Sequence, residues 1–224
     1  MDQSSLIDIL VPTLNRAHKL NDVFKNISDN TVNPHTVVFI TEEDDKASQE
    51  AGLAAGGMVV INTRTRSYPG AINSGYHATT SDWLFTANDD FDFKYGWDVA
   101  ALAHYADGAF PVIGVNDNFN PSVQNRTNST IHLVARWYLD TLGGVPDQGP
   151  KSFYFEGYFH NFVETEFIEV AKTRGKFFPC LDSHVHHLHW SGGLSEVDST
   201  TIKTQANVNE DAQLFTKRTH LWNR

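Results

Sequence analysis

The chain has 224 residues, with 17 Lys+Arg against 27 Asp+Glu for a net charge of −10, 12% aromatic residues, 11 His and one Cys. That length suits one domain with a real core, the lone Cys180 excludes a disulfide framework and a cysteine-rich zinc site, and no apolar run is long enough to span a membrane. An acidic chain lacks the electrostatic footprint of a general nucleic-acid binder, although a local basic groove stays open; the polar start, Met1 to Ser5, is no secretory leader, so the expected compartment is the cytoplasm.

The first half alternates between strand and helix patterns. Residues 6–11 form a short apolar run that stops at Pro12 and read as a buried strand. Asn15 then offers a cap, and residues 17–27 place Leu20, Val23, Phe24 and Ile27 on one helix face. Residues 36–40 make a second strand, 46–55 a weak helix stopped by Gly56 and Gly57, and 58–61 a third strand. Pro69 opens a helix to about residue 79, 82–86 form a fourth strand, 97–105 a helix and 111–115 a fifth strand. This rhythm with short loops predicts βαβ units on a mostly parallel sheet, with ligands at the carboxyl ends of the strands.

The second half is less regular. Residues 116–130 read as a polar loop, 131–142 as a helix ending at Gly143, and 146–157 as a loop. Residues 163–173 read as a helix stopped by Gly175, 176–180 and 185–190 as two strands, the tail to Asp198 as loop, and 209–217 as a last helix capped by Asn209. With no repeat or break in composition, residues 1–224 are read as one domain, with a nucleotide-binding half to about 116 and an acceptor-binding half beyond it.

Four groups of residues can carry chemistry. Asp89, Asp90 and Asp92 crowd together directly after a predicted strand. Like charges this close repel unless a cation sits among them, and oxygen ligands with a diphosphate suit Mg²⁺ or Mn²⁺; the alternative is a solvated acidic turn. In the run from His184 to His189, a strand puts His187 and His189 on one face and His184 and His186 on the other, as metal ligands or as plain surface histidines. Glu164 and Glu166 start a helix, where an acid either complements the dipole or serves as a general base with His160 and Asn161 nearby. Arg64 and Arg66 follow the third strand and suit phosphate oxygens, or are ordinary surface arginines. No glycine-rich phosphate loop follows the first strand, which argues against kinases, GTPases and NAD enzymes.

Taken in order, these motifs resemble the GT-A-fold, family-2-like glycosyltransferases, and among them the short enzymes encoded by bacteriophages. The segment from Leu10 to Arg16 resembles the family's first strand and nucleotide loop, which gives Pro12, Thr13, Asn15 and Arg16 as donor-binding candidates. Asp44 or Asp45 matches the acid that addresses the base, Arg66 to Asn73 the basic residue and following helix, and Asn88-Asp89-Asp90 the Asp-x-Asp motif with Asn in its first place. A literal Asp-x-Asp lies one register on, at Asp90-Phe91-Asp92; Asp90 belongs to both readings and is the foremost metal ligand. His187 and His189 resemble the late metal-site histidine, Glu164 the base of inverting members, and a tail pattern recurs around Asp198 and Asp211.

The resemblance implies an α/β, Rossmann-like GT-A nucleotide-sugar-binding fold with a mostly parallel central sheet, and a Mn²⁺- or Mg²⁺-dependent transfer from a nucleoside-diphosphate sugar, UDP-type favoured, to an acceptor hydroxyl with inversion. For the acceptor it implies a hydroxymethylated pyrimidine in phage DNA; a glycan, protein or small molecule is the alternative. Arg136, Trp137, His160 and Asn161 are candidates for the acceptor side. A nucleotidyltransferase of related fold, a nucleotide-sugar hydrolase and a non-catalytic sugar-binding module are the competing classes.

Overall fold

The computed structural model describes residues 6–105, 108–194 and 197–222. Residues 1–5, on which the reading of the N-terminus rested, lie outside them. In chain order the elements are β1 (Ile7–Pro12), α1 (Leu20–Asn30), β2 (His35–Thr41), α2 (Lys46–Ala55), β3 (Met58–Ile61), α3 (Tyr68–Ala78), β4 (Trp83–Thr86), β5 (Phe91–Phe93), α4 (Trp97–Leu102), β6 (Val112–Asn116), α5 (Pro121–Gln124), β7 (His132–Ala135), α6 (Arg136–Leu142), α7 (Val163–Thr173), β8 (Phe177–His187), α8 (Ser199–Ala206) and α9 (Val208–Arg218).

The strands run in the order β3-β2-β1-β4-β7-β6-β8-β5. The first four are parallel, β7 is antiparallel to both its neighbours, and β6 and β8 are again parallel. The fold is thus the expected mixed α/β architecture with a mostly parallel sheet. Alternation along β1 divides the core: Ile7, Ile9 and Val11 join one apolar cluster with Leu20, Val23 and Ile27 of α1 and Trp97 of α4. Leu10 faces the other cluster, with Ile72 and Tyr76 of α3 and Phe167 of α7. Helices therefore cover both faces, which is why these strands read as unbroken apolar runs.

Local chemistry fixes several boundaries. Asp45 caps α2 by accepting the Ser48 N–H at 3.2 Å, and Gly56 ends that helix in the left-handed region at φ 101°. Ser67 caps α3 through the Gly70 N–H. A Cβ on Gly70 would stand 2.1 Å from the Thr65 carbonyl oxygen, so glycine lets the 62–67 loop close onto the helix start.

The second half departs from expectation in four places. Residues 131–142 are not one helix but β7 followed directly by α6. The two late strands are a single strand, β8, whose lower part pairs with β6 and whose upper part pairs with β5. Its register with β6 jumps from Val115↔Cys180 to Asn116↔His184, so the polar stretch between is a bulge rather than a break. The loop 116–130 contains α5, and the tail contains α8 ahead of α9, which begins at Val208 with Asn207, not Asn209, at its cap.

Candidate active site

The ends of β1, β2 and β4 open onto one cleft, lined among others by Thr13, Arg16, Glu42, Arg66, Tyr68, Asn88, Asp90, His160 and His187. Residues of α8, including Thr200 and Lys203, close its outer side. Pairing between β5 and β8 builds the cleft's acidic end. Phe91 stands opposite His187, and the Leu188 N–H donates to the Asp90 carbonyl at 2.9 Å. Residues almost a hundred positions apart in sequence are thereby set side by side: His187 Nε2 lies 3.5 Å from Asp90 Oδ2. The His187 and His189 rings are 4.9 Å apart, centre to centre, as their shared face requires.

Asp90 has a second oxygen with no protein partner: Oδ1 is buried and makes no hydrogen bond. A buried carboxylate oxygen left unsatisfied costs stability unless something else binds it. Burial opposes ionisation of Asp90, but the His187 hydrogen bond and charge outweigh it and hold its carboxyl below the usual range. Among the described residues no group of three or more His, Cys, Asp or Glu converges as a metal cage. Asp90 with His187 therefore offers a pair of donors, and a hard divalent cation bound there would take its other ligands from diphosphate oxygens and water, as Mg²⁺ and Mn²⁺ commonly do. The residues present fit that group in this limited sense.

Asp89 is turned away from this role. It is buried, accepts from the Thr13 hydroxyl at 3.0 Å and is ion-paired with Arg16. Burial pushes its carboxyl up, against the Arg16 charge beside it. The remaining Arg16 nitrogens grip Asp198, Nε to Oδ2 at 2.7 Å and Nη2 to Oδ1 at 3.0 Å. Asp198 is also the cap of α8. One guanidinium thus ties the β1 loop, the Asp-Asp turn and α8 together. Asp92, the other acid of the overlapping motif, lies outside the cleft and pairs with Lys94 and Asn26.

Glu164 lies in the first turn of α7. Burial pushes its carboxyl up to about 8, against its own backbone N–H and the Tyr68 hydroxyl, which favour the charged form. Tyr68 links this acid to the cleft. It lines the cleft, its hydroxyl is raised well above the ordinary value by burial and by Glu164, and its ring lies 5.0 Å from that of His160. Burial pushes His160 down to about 4, so at neutral pH it is an uncharged imidazole. Glu166, by contrast, is consumed: Arg218 binds it through Nε and Nη2 and the Tyr158 hydroxyl donates to it at 2.7 Å.

Several sequence candidates lie elsewhere. Asp45 is the α2 cap and also accepts the Asn15 N–H at 2.6 Å; Asp44 is exposed and pairs with Arg66; neither lines the cleft. The acid that does is Glu42, fixed by the Asn62 amide at 2.9 Å and 3.9 Å from Arg66. Asn15 is exposed at φ 57°, and only its neighbours Leu14 and Arg16 reach the lining. Asn73 is spent holding the Tyr154 backbone and Glu156.

Arg136 and Trp137 are at the wrong pole. They follow β7, which runs against the parallel strands, and so lie beside the beginning of β4 rather than its end. Arg136 donates to the Ser81 and Tyr76 carbonyls and to Thr79, and the Trp137 indole donates to Tyr105. Pro12, Thr13, Arg16, Arg66, Asn88, Asp89, His160, Asn161, His187 and His189 all line the cleft.

A family model described as glycosyl transferase family 2 matches residues 8–166. No curated protein sequence matches the chain significantly. Among solved structures, a mannosyltransferase from Pyrobaculum calidifontis, determined with GDP-Man and Mn²⁺, aligns with TM-score 0.62 at 12% identity, over 97% of this chain and 73% of its own. Glucosyl-3-phosphoglycerate synthase from Mycobacterium tuberculosis, determined with Mn²⁺, UDP and glucosyl-3-phosphoglycerate, aligns with TM-score 0.58 at 12% identity, over 92% of this chain and 80% of that one. At such identities the likeness is one of fold. Among the described residues no helix is long and apolar enough to cross a membrane.

Proposed function

The chain belongs to glycosyl transferase family 2, a nucleotide-sugar-dependent glycosyltransferase, and from that premise we propose an inverting, metal-assisted transfer centred on Asp90 and Glu164. The observation that carries this reading is one cleft whose lining holds Asp90, with an unpartnered buried oxygen beside His187, and Tyr68, whose hydroxyl is raised by burial and by the nearby carboxyl of Glu164.

Asp90 and His187, with His189 on the same face, would hold Mn²⁺ or Mg²⁺, and such an ion would supply positive charge to offset that of a departing diphosphate. Arg16 and Arg66 also line the cleft, Arg16 paired there with Asp89 and Asp198 and Arg66 with Asp44. Of the acids that follow β2, Glu42 lines the cleft and in this reading accepts N–H groups of the nucleobase, with a UDP-type donor favoured. Glu164 takes the proton of the acceptor hydroxyl. The acceptor oxygen forms its bond to the anomeric carbon as the bond to the diphosphate breaks, and the nucleoside diphosphate leaves with the electron pair. The wall formed by α8 and by His160 and Asn161 limits water, which would otherwise hydrolyse the donor.

The acceptor in this proposal is a hydroxymethylated pyrimidine of phage-type DNA, which rests on the sequence resemblance. Mass spectrometry of nucleosides from such DNA, incubated with donor and enzyme, tests it: a hexose or pentose adduct supports it, and an unmodified digest alongside a glycosylated glycan or small molecule replaces it. For the reaction itself, Glu164→Gln should keep donor affinity within about twofold while transfer falls by about a thousandfold or more, the scale of a lost general base and its positioning. Normal turnover in that variant would remove Glu164 from the role.

A further inference from the structure

Helix α9 contributes nothing to the cleft lining and plays no part in the mechanism above, yet one face of it engages the segment that carries Glu164. Asp211, Phe215 and Arg218 fall at i, i+4 and i+7, the spacing of a single helix face. Each meets a different point of residues 159–166.

Asp211 is 3% exposed, and three consecutive backbone N–H groups converge on its carboxylate: Phe159 at 2.8 Å, His160 at 3.0 Å and Asn161 at 2.8 Å. Successive N–H groups gathered in this way form a concave anion seat, here filled by a side chain of the protein. The seat bends the chain sharply. Phe162, the next residue, sits in the left-handed region at φ 67°, which is strained for a non-glycine residue and persists only where neighbours enforce it. Phe215 stacks on the Phe162 ring at 5.4 Å. Arg218 clamps Glu166, in the first turn of α7.

The same loop reaches Glu164 by a second route. The Phe159 carbonyl accepts the Tyr68 N–H at 3.0 Å, and the charge of nearby Glu164 adds to burial in raising the Tyr68 hydroxyl. Asp211 thus anchors both sides of the acid: the turn that leads into α7 and the tyrosine that faces it.

We propose that α9 is the positioning device for the catalytic base, with Asp211 as its principal residue, holding the 159–162 turn so that Glu164 and Tyr68 meet at the cleft. This rests on the reading of Glu164 as base. It assigns to the C-terminal helix a part in the reaction although no residue of it need touch substrate. The groups that face Glu164 are Tyr68 and Tyr154 with His160 behind them, and Asp211, whose negative charge favours the protonated acid.

The test is Asp211→Asn beside Glu164→Gln, with kcat, donor KM, UDP affinity and the pH dependence of kcat measured for each. Asn keeps an oxygen for the backbone N–H groups and removes the charge. Expected is a fall in kcat of about tenfold or more, since small misplacements of a reacting group are costly. Donor KM and UDP affinity should stay within about twofold, and the acid limb of the profile should move to lower pH. A kcat and pH profile equal to wild type would overturn the proposal, as would a loss of UDP affinity in step with kcat, which marks general damage. If Asp211→Asn does not fold, Phe215→Leu carries the same test through Phe162: reduced kcat with intact UDP affinity supports the proposal, unchanged kcat overturns it. Full turnover in Glu164→Gln is a separate result, because it defeats the base assignment whatever Asp211 does.

Discussion

Two carboxylates, Asp90 in the cleft lining and Glu164 at the start of α7, are pushed in opposite directions, and that difference separates their proposed roles. Asp90 is held ionised beside His187, while burial lifts Glu164 to about 8. Opposed environments for paired acids are a recurrent way to divide ligand or charge work from proton transfer. The raised value of Glu164 is also a stability term. Its folded pKa exceeds its unfolded value of about 4.3, so folding favours the protonated form; nothing is lost below pH 4, and stability declines as pH rises from there through 8. Glu164→Gln, neutral at every pH, should therefore melt higher than wild type at pH 9 and nearly equal to it at pH 4.5, by calorimetry at both pH values. Equal melting at pH 9 would mean that the acid is not confined as described. For activity the sign reverses: the base works only when deprotonated, so kcat/KM should climb with pH towards 8.

At the scale of elements, buried charge ties the C-terminal helices to the rest. Arg218 joins α9 to Glu166 of α7 and to Asp147, and Arg16 joins Asp198 of α8 to Asp89. Removing one partner of a buried pair strands the other, so Arg218→Met should cost about 3–5 kcal/mol in urea unfolding. A cost below about 1 kcal/mol would make the pair a surface-like contact. Asp198→Ala should free α8 and speed its proteolysis, with little change in the global unfolding midpoint, because the Arg16 clamp and the α8 cap are lost together.

The parallel half was legible in the sequence because its strands are buried on both faces and each helix carries its own cap or apolar stripe. The boundary between β7 and α6 was not: Ala135 offers no side-chain cap, and a fully buried strand leading straight into a helix leaves one apolar run. The unity of β8 was hidden by its polar bulge, and α8 by a weak apolar face, although Asp198 with Thr201 marks a capped start. The positions of Asp90, His187 and Glu164 at strand and helix ends were readable from the sequence, which is what singled them out as candidates. Tyr68, Glu42 and the role of Asp211 were not, because their partners lie far along the chain and only the fold brings them together.

Over the whole molecule, the net charge of −10 takes on a structural meaning. Many of its acids serve as backbone acceptors or ion-pair partners rather than as a solvated coat: Asp45 caps a helix, Asp98 accepts the Val32 and Asn33 N–H groups, and Asp211 fills its seat. Arg218 holds Asp147 below the usual carboxylate range, as Arg16 does Asp198. For acids with lowered folded values, the stabilisation is complete above about pH 4 and is lost as pH falls through those lower values. The melting temperature should accordingly drop steeply below pH 4; a flat profile down to pH 3 would show these pairs to be inert. A metal-assisted donor site at Asp90 can be read out by calorimetric titration of UDP into wild type and Asp90→Asn, with Mn²⁺ and with chelator. Mn²⁺ should tighten UDP binding at least about tenfold in wild type and not in the variant, a difference of about 1.4 kcal/mol. Equal affinity with and without Mn²⁺, or an undiminished Mn²⁺ effect in Asp90→Asn, would contradict it.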